Sequence, residues 1–336
     1  MEKERIYYWD NLKALLIFLV VLGHFLIPVS REGKSVESVY FFIYLFHMPA
    51  FVFVSGYFAQ YYMKKEVPQV NKLIGFLILF LVYKVLLWAV NSVLAGHSVK
   101  FDLFSEEAAP WYLLCMFLWY LYLPLFAKFK PVVSIGIAVL FGMLVGLDSS
   151  VGIFLSFSRF AVFLPCFLAG YYFNGDMIPK ITSAKMRAAA AVFLLATAIA
   201  VIFNLDVIDR YETIIYGSHS YAFMDVSGRM AVMLRGIWYM IALAITFGVM
   251  CLIPKRKTLV SYIGSRTLTI YIIHRLIRPV FEKYDVYQYF MENGIELLIF
   301  CIVISVVITF VFSEKHISKL FQKAFNINYD KLLIHK

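Results

Sequence analysis

Asp10-Asn-Leu-Lys13-Ala-Leu-Leu-Ile-Phe-Leu-Val-Val-Leu-Gly-His24-Phe-Leu-Ile-Pro28 is the stretch whose reading decides the fold. It reads as a membrane-spanning helix, apolar except for a lysine where it begins and a histidine deep inside. Eleven residues turn a helix through about 1100°, only about 20° past three full turns. Lys13 and His24 therefore project from one face, roughly 16 Å apart along the axis. A lysine at bilayer depth costs about 2.5–3.5 kcal/mol on insertion scales, so this stripe must face protein or water rather than lipid. That makes it a functional candidate.

The remaining sequence is of the same kind. Of 336 residues 62% are hydrophobic and 18% aromatic, with a mean hydropathy of +0.80. Soluble domains sit at about 45–50% apolar, so a soluble class is excluded. A net charge of +10 would suggest nucleic acid in a soluble chain; here basic cytoplasmic loops explain it, and no nucleic-acid partner is expected. Cys115, Cys166, Cys251 and Cys301 lie within apolar runs without metal-ligand or redox spacing, which predicts small buried hydrophobes and no metal site. The first apolar run lacks a small-residue cleavage site and reads as a retained helix.

Apolar runs predict an all-α, polytopic transmembrane bundle with about ten spans, near 12–29, 39–61, 73–94, 110–127, 132–147, 151–173, 188–204, 230–252, 260–281 and 293–312. With the N-terminus inside, the inner segments carry 19 Lys and Arg against 6 in the outer loops, which predicts both termini in the cytoplasm. Residues 1–312 are expected to form one transmembrane domain. Residues 313–336, with lysines spaced along an apolar pattern, are expected to form an amphipathic tail lying on the anionic inner leaflet. The longest connection, about 205–229, reads either as a hydrated cap or as a functional loop.

Counting helix rise from each boundary places His24, His47, Lys84, Arg159 and His274 in one layer, roughly 17–21 Å from the inner face. Each is expensive alone, but a polar cavity shared between helices would satisfy them together. Taken singly, His274 also reads as a histidine bonded to a carbonyl, and Lys84 as a lysine snorkelling to the interface.

Five separated motifs then carry a resemblance. Asp10-x-Leu12-Lys13-x10-His24 is followed by His47-Met48-Pro49 with Phe53-Val54-Ser55-Gly56-Tyr57, and then by Pro110-Trp111-Tyr112-Leu113. Ser158-Arg159-Phe160 with Phe167-x-x-Gly170-Tyr171 comes next, and Gly264-x-x-Thr267-Leu268-x-x-Tyr271-x-x-His274 closes the series. In this order, from residue 10 to 274, they resemble the membrane acyltransferase-3 family, and within it the fucose 4-O-acetylase-like branch. Two departures stand out. Lys13 occupies a position where arginine is frequent, and Lys64, Lys65 and Lys72 stand where the family often has an Arg-x3-Arg pair. Lysine attracts phosphate as a point charge, without arginine's bidentate fork.

The resemblance implies an integral-membrane O-acyltransferase moving acetyl from cytoplasmic acetyl-CoA, the co-substrate, to a sugar hydroxyl of a surface polysaccharide or its precursor. The site it implies has His24 and Lys13 as catalytic residues. Lys13, Lys64, Lys65 and Lys72 would hold the donor, and Asp10, His47, Ser55, Tyr57, Trp111, Arg159 and His274 the acceptor. His24 would act as general base or carry the acetyl group; both readings stay open. The expected partners are acetyl-CoA, the carbohydrate acceptor and membrane lipids. The expected location is a cell membrane, by resemblance the bacterial cytoplasmic membrane. The rival class is a transporter of a lipid-linked or small polar substrate, which would also bury polar groups at mid-depth. No phosphate-binding glycine loop, HExxH or GxSxG pattern offers another catalytic centre.

Overall fold

The computed structural model describes residues 7–63 and 70–319. Its principal helices are α1 (Tyr7–Leu26), α2 (Lys34–Met63), α3 (Val70–Ala95), α4 (Trp111–Phe126) and α5 (Pro131–Leu144). They continue with α6 (Phe157–Tyr171), α7 (Ala184–Phe203), α8 (Gly228–Leu252), α9 (Thr267–Lys283) and α10 (Gly294–Phe312). No strand occurs among the described residues, so the chain is an all-α bundle. Six helices, α1 (continued to Val29), α2, α3, α7, α8 and α10, are long and apolar enough to cross a membrane. The shorter α4, α5 and α6 are apolar, whereas α9 carries Arg275, Arg278, Glu282 and Lys283 over its last turns.

Burial separates the centre from the rim. In α2, 78% of the most apolar window is buried, against 11% in α7. Helices with apolar residues all round belong either in the core or against lipid, and here α1, α2, α4 and α6 take the core. The Ser55-Gly56-Tyr57 segment explains one of these contacts. A Cβ on Gly56 would overlap the Phe167 carbonyl of α6, and one on Gly170 would overlap the Phe53 carbonyl of α2. The two backbones touch because both residues are glycine, the small-residue packing that membrane helices use in place of a hydrophobic drive.

Several boundaries differ from the sequence expectation. Helix α1 begins at Tyr7 rather than near 12, because Asp10 and Asn11 are buried with partners of their own. The segment 151–156 is not helical: Leu155 and Ser156 take left-handed conformations, and Phe154 bridges to Ser105. The ninth expected span is broken at Ser265–Arg266 into a single turn, Ser261–Gly264, and α9. The 205–229 connection is built from Leu205–Arg210, Glu212–Tyr216 and Tyr221–Phe223, with Ile214, Ile215 and Tyr221 buried. That is an ordered wall of the fold rather than a loose hydrated cap. Of the expected amphipathic tail, residues 320–336 lie outside the described residues.

Contacts sort the connections into two ends. At the N-terminal end, Asn11 Nδ2 donates to the carbonyls of Pro254 and Arg256, and Gln60 to that of Phe173. At the opposite end, Arg31 pairs with Glu212 at 2.9 Å and with Asp209, and Tyr221 donates to the Met143 carbonyl. Loops that the charge rule assigns to one side thus meet one another.

Candidate functional site

A cavity of about 100 Å³ lies among α1, α2, α4, α6 and α9. His24, His47, Trp111 and Arg159, four of the residues singled out from sequence, line it. His24 is two residues from the end of α1 and Arg159 is the third residue of α6. The cavity therefore lies towards the end of the bundle opposite the N-terminus, displaced from the mid-depth layer that helix counting gave. A wider vestibule of about 560 Å³ shares Ile27, Glu107, Arg159 and Tyr216 with it. Arg31, Tyr40, Asp209, Glu212, Ser218 and His219 are among its other lining residues. Burial holds the His219 imidazole below its ordinary value, which favours the neutral ring.

The central feature is a pair of imidazoles. His24 Nδ1 lies 2.6 Å from His274 Nε2, with the rings stacked at 4.9 Å and an interplanar angle of 12°. His274 Nδ1 lies 2.9 Å from the Ile270 carbonyl. A carbonyl only accepts, so with neutral rings His274 carries its proton on Nδ1 and presents a lone pair at Nε2. His24 must then donate from Nδ1, which leaves its Nε2 lone pair for a substrate. The same rule applies at His47, whose Nδ1 donates to the Ile43 carbonyl at 2.8 Å. The chain from Ile270 through His274 to His24 fixes one tautomer of an imidazole bordering a cavity, the arrangement a general base or acyl carrier needs.

Arg159 is held less by charge than by backbone. Its Nη1 donates to the carbonyls of Glu106 and Glu107, both at 3.3 Å, and its guanidinium stacks over Trp111 at 5.1 Å. The segment bearing those carbonyls is anchored in turn. Lys84 pairs with Glu106 at 3.0 Å and donates to the Ser105 carbonyl at 2.7 Å, with both side chains almost fully buried. Tyr271 also donates to the Ala109 carbonyl. Lys84 is accordingly part of the wall, neither facing the cavity nor snorkelling.

Other sequence candidates lie elsewhere. His274 stands behind His24 and is fully buried. Ser55 Oγ is 2.5 Å from the Tyr112 hydroxyl and donates to the Phe51 carbonyl, so it reaches the cavity only through Tyr112. Tyr57 stacks on Trp9 at 4.0 Å, away from the cavity. Lys13 pairs with Asp10 at 3.0 Å and covers Phe58, at the N-terminal end. Lys72 donates to the Tyr120 hydroxyl at 3.0 Å. Lys64 and Lys65 lie outside the described residues.

Tyr44, Tyr216, Arg275 and Arg278, absent from the sequence motifs, also line the cavity, as does Tyr271 of the closing motif. A signal for three of them was present. Tyr271, Arg275, Arg278 and Glu282 recur at i, i+4, i+7 and i+11, one face of a helix.

Comparison with known proteins adds one positive finding. The family model described as an acyltransferase domain matches residues 6–314, nearly the whole chain. No curated protein and no solved structure matches it.

Proposed function

Since the chain belongs to the membrane acyltransferase-3 family, we propose that it moves an acetyl group from acetyl-CoA to a sugar hydroxyl of a surface polysaccharide or its precursor. The observation that supports this reading most is the His274–His24 pair, which leaves His24 Nε2 free on a cavity that three arginines and four tyrosines share with apolar side chains. In the simplest step Nε2 takes the proton of the acceptor hydroxyl while that oxygen attacks the thioester carbonyl carbon. The carbon–sulfur bond then breaks, the sulfur takes up the proton from His24 and leaves as coenzyme A thiol, and the sugar keeps the acetyl ester. In the covalent variant Nε2 attacks the thioester carbon first, the carbon–sulfur bond breaks to release coenzyme A as thiolate, and the acetyl then passes from Nε2 to the hydroxyl oxygen, whose proton goes to the thiolate. Arg159, held over Trp111, would stabilise the carbonyl oxygen as charge develops on it.

The donor would enter from the N-terminal end, which positive-inside charge assigns to the cytoplasm. There Lys13 and Lys72, with Lys64 and Lys65 between α2 and α3, offer point charges for its phosphates. The acceptor would enter through the vestibule at the opposite end, where Tyr40, Asp209, Glu212 and Tyr216 offer hydroxyl and carboxylate partners suited to sugar hydroxyls.

Reconstituted protein, acetyl-CoA carrying a labelled acetyl group and a panel of free and lipid-linked glycans test the proposal. Label should appear on a sugar ester with release of one thiol, and His24→Ala should abolish both. Passage of a sugar across the vesicle membrane without any ester would establish the transporter instead.

A further inference from the structure

Two of the cavity's three arginines have no part in the mechanism above. Arg275 and Arg278 sit one turn apart on α9, directly beyond His274, and both line the cavity. Nε and Nη1 of Arg275 are buried without a hydrogen-bond partner among the described residues. Arg278 Nε lies 2.7 Å from Glu282 Oε1, an ion pair out of hydrogen-bond alignment, and Glu282 is partly exposed. The acidic residue bordering the cavity, Glu107, stands across it on the α3–α4 connection and is itself exposed. A buried guanidinium with donors unspent is costly, and it recovers that cost most fully from a bidentate oxyacid anion.

Which anion follows from position. The thioester of a coenzyme A donor is separated from its phosphates by the whole pantetheine arm. A donor whose acyl carbon stands at His24 therefore has its phosphates well away from Arg275. An oxyanion formed during transfer already has Arg159 assigned to it and gives no reason for two further guanidinium groups. The remaining partner is a charged group on the acceptor, close to the hydroxyl that reacts. We propose that Arg275, seconded by Arg278, binds a carboxylate or phosphate on the acceptor sugar and thereby selects acidic acceptors. This deepens the acyltransferase reading and rests on it.

The test uses detergent-purified full-length protein and three probes: methyl glucuronide, glucose 1-phosphate and the neutral methyl glucoside. Calorimetric binding without donor is read first, then acetyl transfer from acetyl-CoA. The wild type should favour one or both charged sugars over the glucoside by roughly 10–100-fold in Kd and in kcat/KM, the worth of one or two charge-assisted hydrogen bonds. Which charged sugar leads distinguishes carboxylate from phosphate. Arg275→Gln should bring that ratio close to one, and Arg275→Lys should restore part of it. Three results would overturn the inference: no preference in the wild type, a preference untouched in Arg275→Gln, or a loss of kcat equal for charged and neutral sugars, which marks an oxyanion role. Should Arg275→Gln fail to fold, Arg278→Gln is read in its place and should lower the ratio by a smaller factor; an unchanged ratio there counts against the proposal. Charge-dependent binding in a wild type that transfers no acetyl would instead sink the acyltransferase reading and leave the anion site standing.

Discussion

The two ends of the bundle handle buried polar groups in opposite ways. Around Asn11, at the N-terminal end, the groups satisfy one another. Asn11 donates to two carbonyls and accepts from Thr258 and Ser261, at 2.6 Å each, while Asp10 and Lys13 close an ion pair. Around the cavity the same chemistry is left incomplete. His24 keeps Nε2, Arg275 keeps two donors, and Arg159 has carbonyls where a carboxylate could stand. Burying polar groups costs free energy at either end. Completed networks hold a fold together, whereas incomplete ones with access to a cavity are where a substrate can finish the bonding.

The sharpest way to break that contrast is at His24. His24→Ala should lower turnover by roughly 10²–10⁴-fold, the range for a general base, or by more if the residue carries the acetyl group. Acetyl-CoA binding should persist, because Nε2 is proposed to act in the chemical step. Single-turnover acetyl transfer beside equilibrium donor binding checks this. Retained transfer would remove the cavity from the mechanism altogether.

Next in size is the wall. Lys84→Met strands Glu106 in a buried site, a change that typically costs about 3–5 kcal/mol. The double variant with Glu106→Gln should recover most of the loss, since removing both charges leaves none unpaired. Thermal unfolding in detergent measures both. If the single variant unfolds at the wild-type temperature, the segment carrying Glu106 and Glu107 is held by something other than this pair.

His274 acts through His24 and is a positioning residue. His274→Ala should cost roughly 10–100-fold in kcat, as losses of a group that orients a functional histidine do, with the KM for donor little changed. His274→Gln, whose amide oxygen can accept from His24 Nδ1, should recover part of it. Equal losses in the two variants would mean that His274 only fills space.

How far these features could be read in advance depends on the signal each leaves. Spans such as α1, α2 and α8 were legible because hydropathy over twenty residues is a sum that single errors do not overturn. The membership of His24, His47 and Arg159 in one cavity was legible because intramembrane ionisable groups are rarely idle. Depth was not. Asp10 and Asn11 find partners in residues 254–261, so α1 starts five residues early and every count from its boundary shifts. The role of Lys84 was equally hidden, since Glu106 sits in a connection that bends back into the bundle, and nothing local in the sequence encodes that bend. Arg275 and Arg278 were legible in period, but a hydropathy average over residues 260–281 does not single them out. The charges that spoil a hydropathy average were the informative residues there.

The smallest expected effect tests the completed end. Lys13 has a partner in Asp10, and the pair is only partly buried, so its worth to stability is about 0–1 kcal/mol. If the lysine also docks a phosphate of the donor, Lys13→Ala should raise the KM for acetyl-CoA by up to roughly tenfold, the value of one charge-assisted contact. kcat should barely move, because Lys13 and His24 stand about 16 Å apart along α1 and cannot touch one reacting atom. Lys13→Arg should be tolerated. Asp10→Asn separates the two roles: it removes the ion pair but leaves the cation, so it should share whatever stability loss Lys13→Ala shows without sharing its rise in KM. Steady-state kinetics with varied acetyl-CoA, beside thermal unfolding of the same preparations, decide it. Parallel behaviour of the two variants in both measurements would make Lys13 a purely structural member of a finished network, and the donor's phosphates would then have to be sought at Lys64, Lys65 and Lys72.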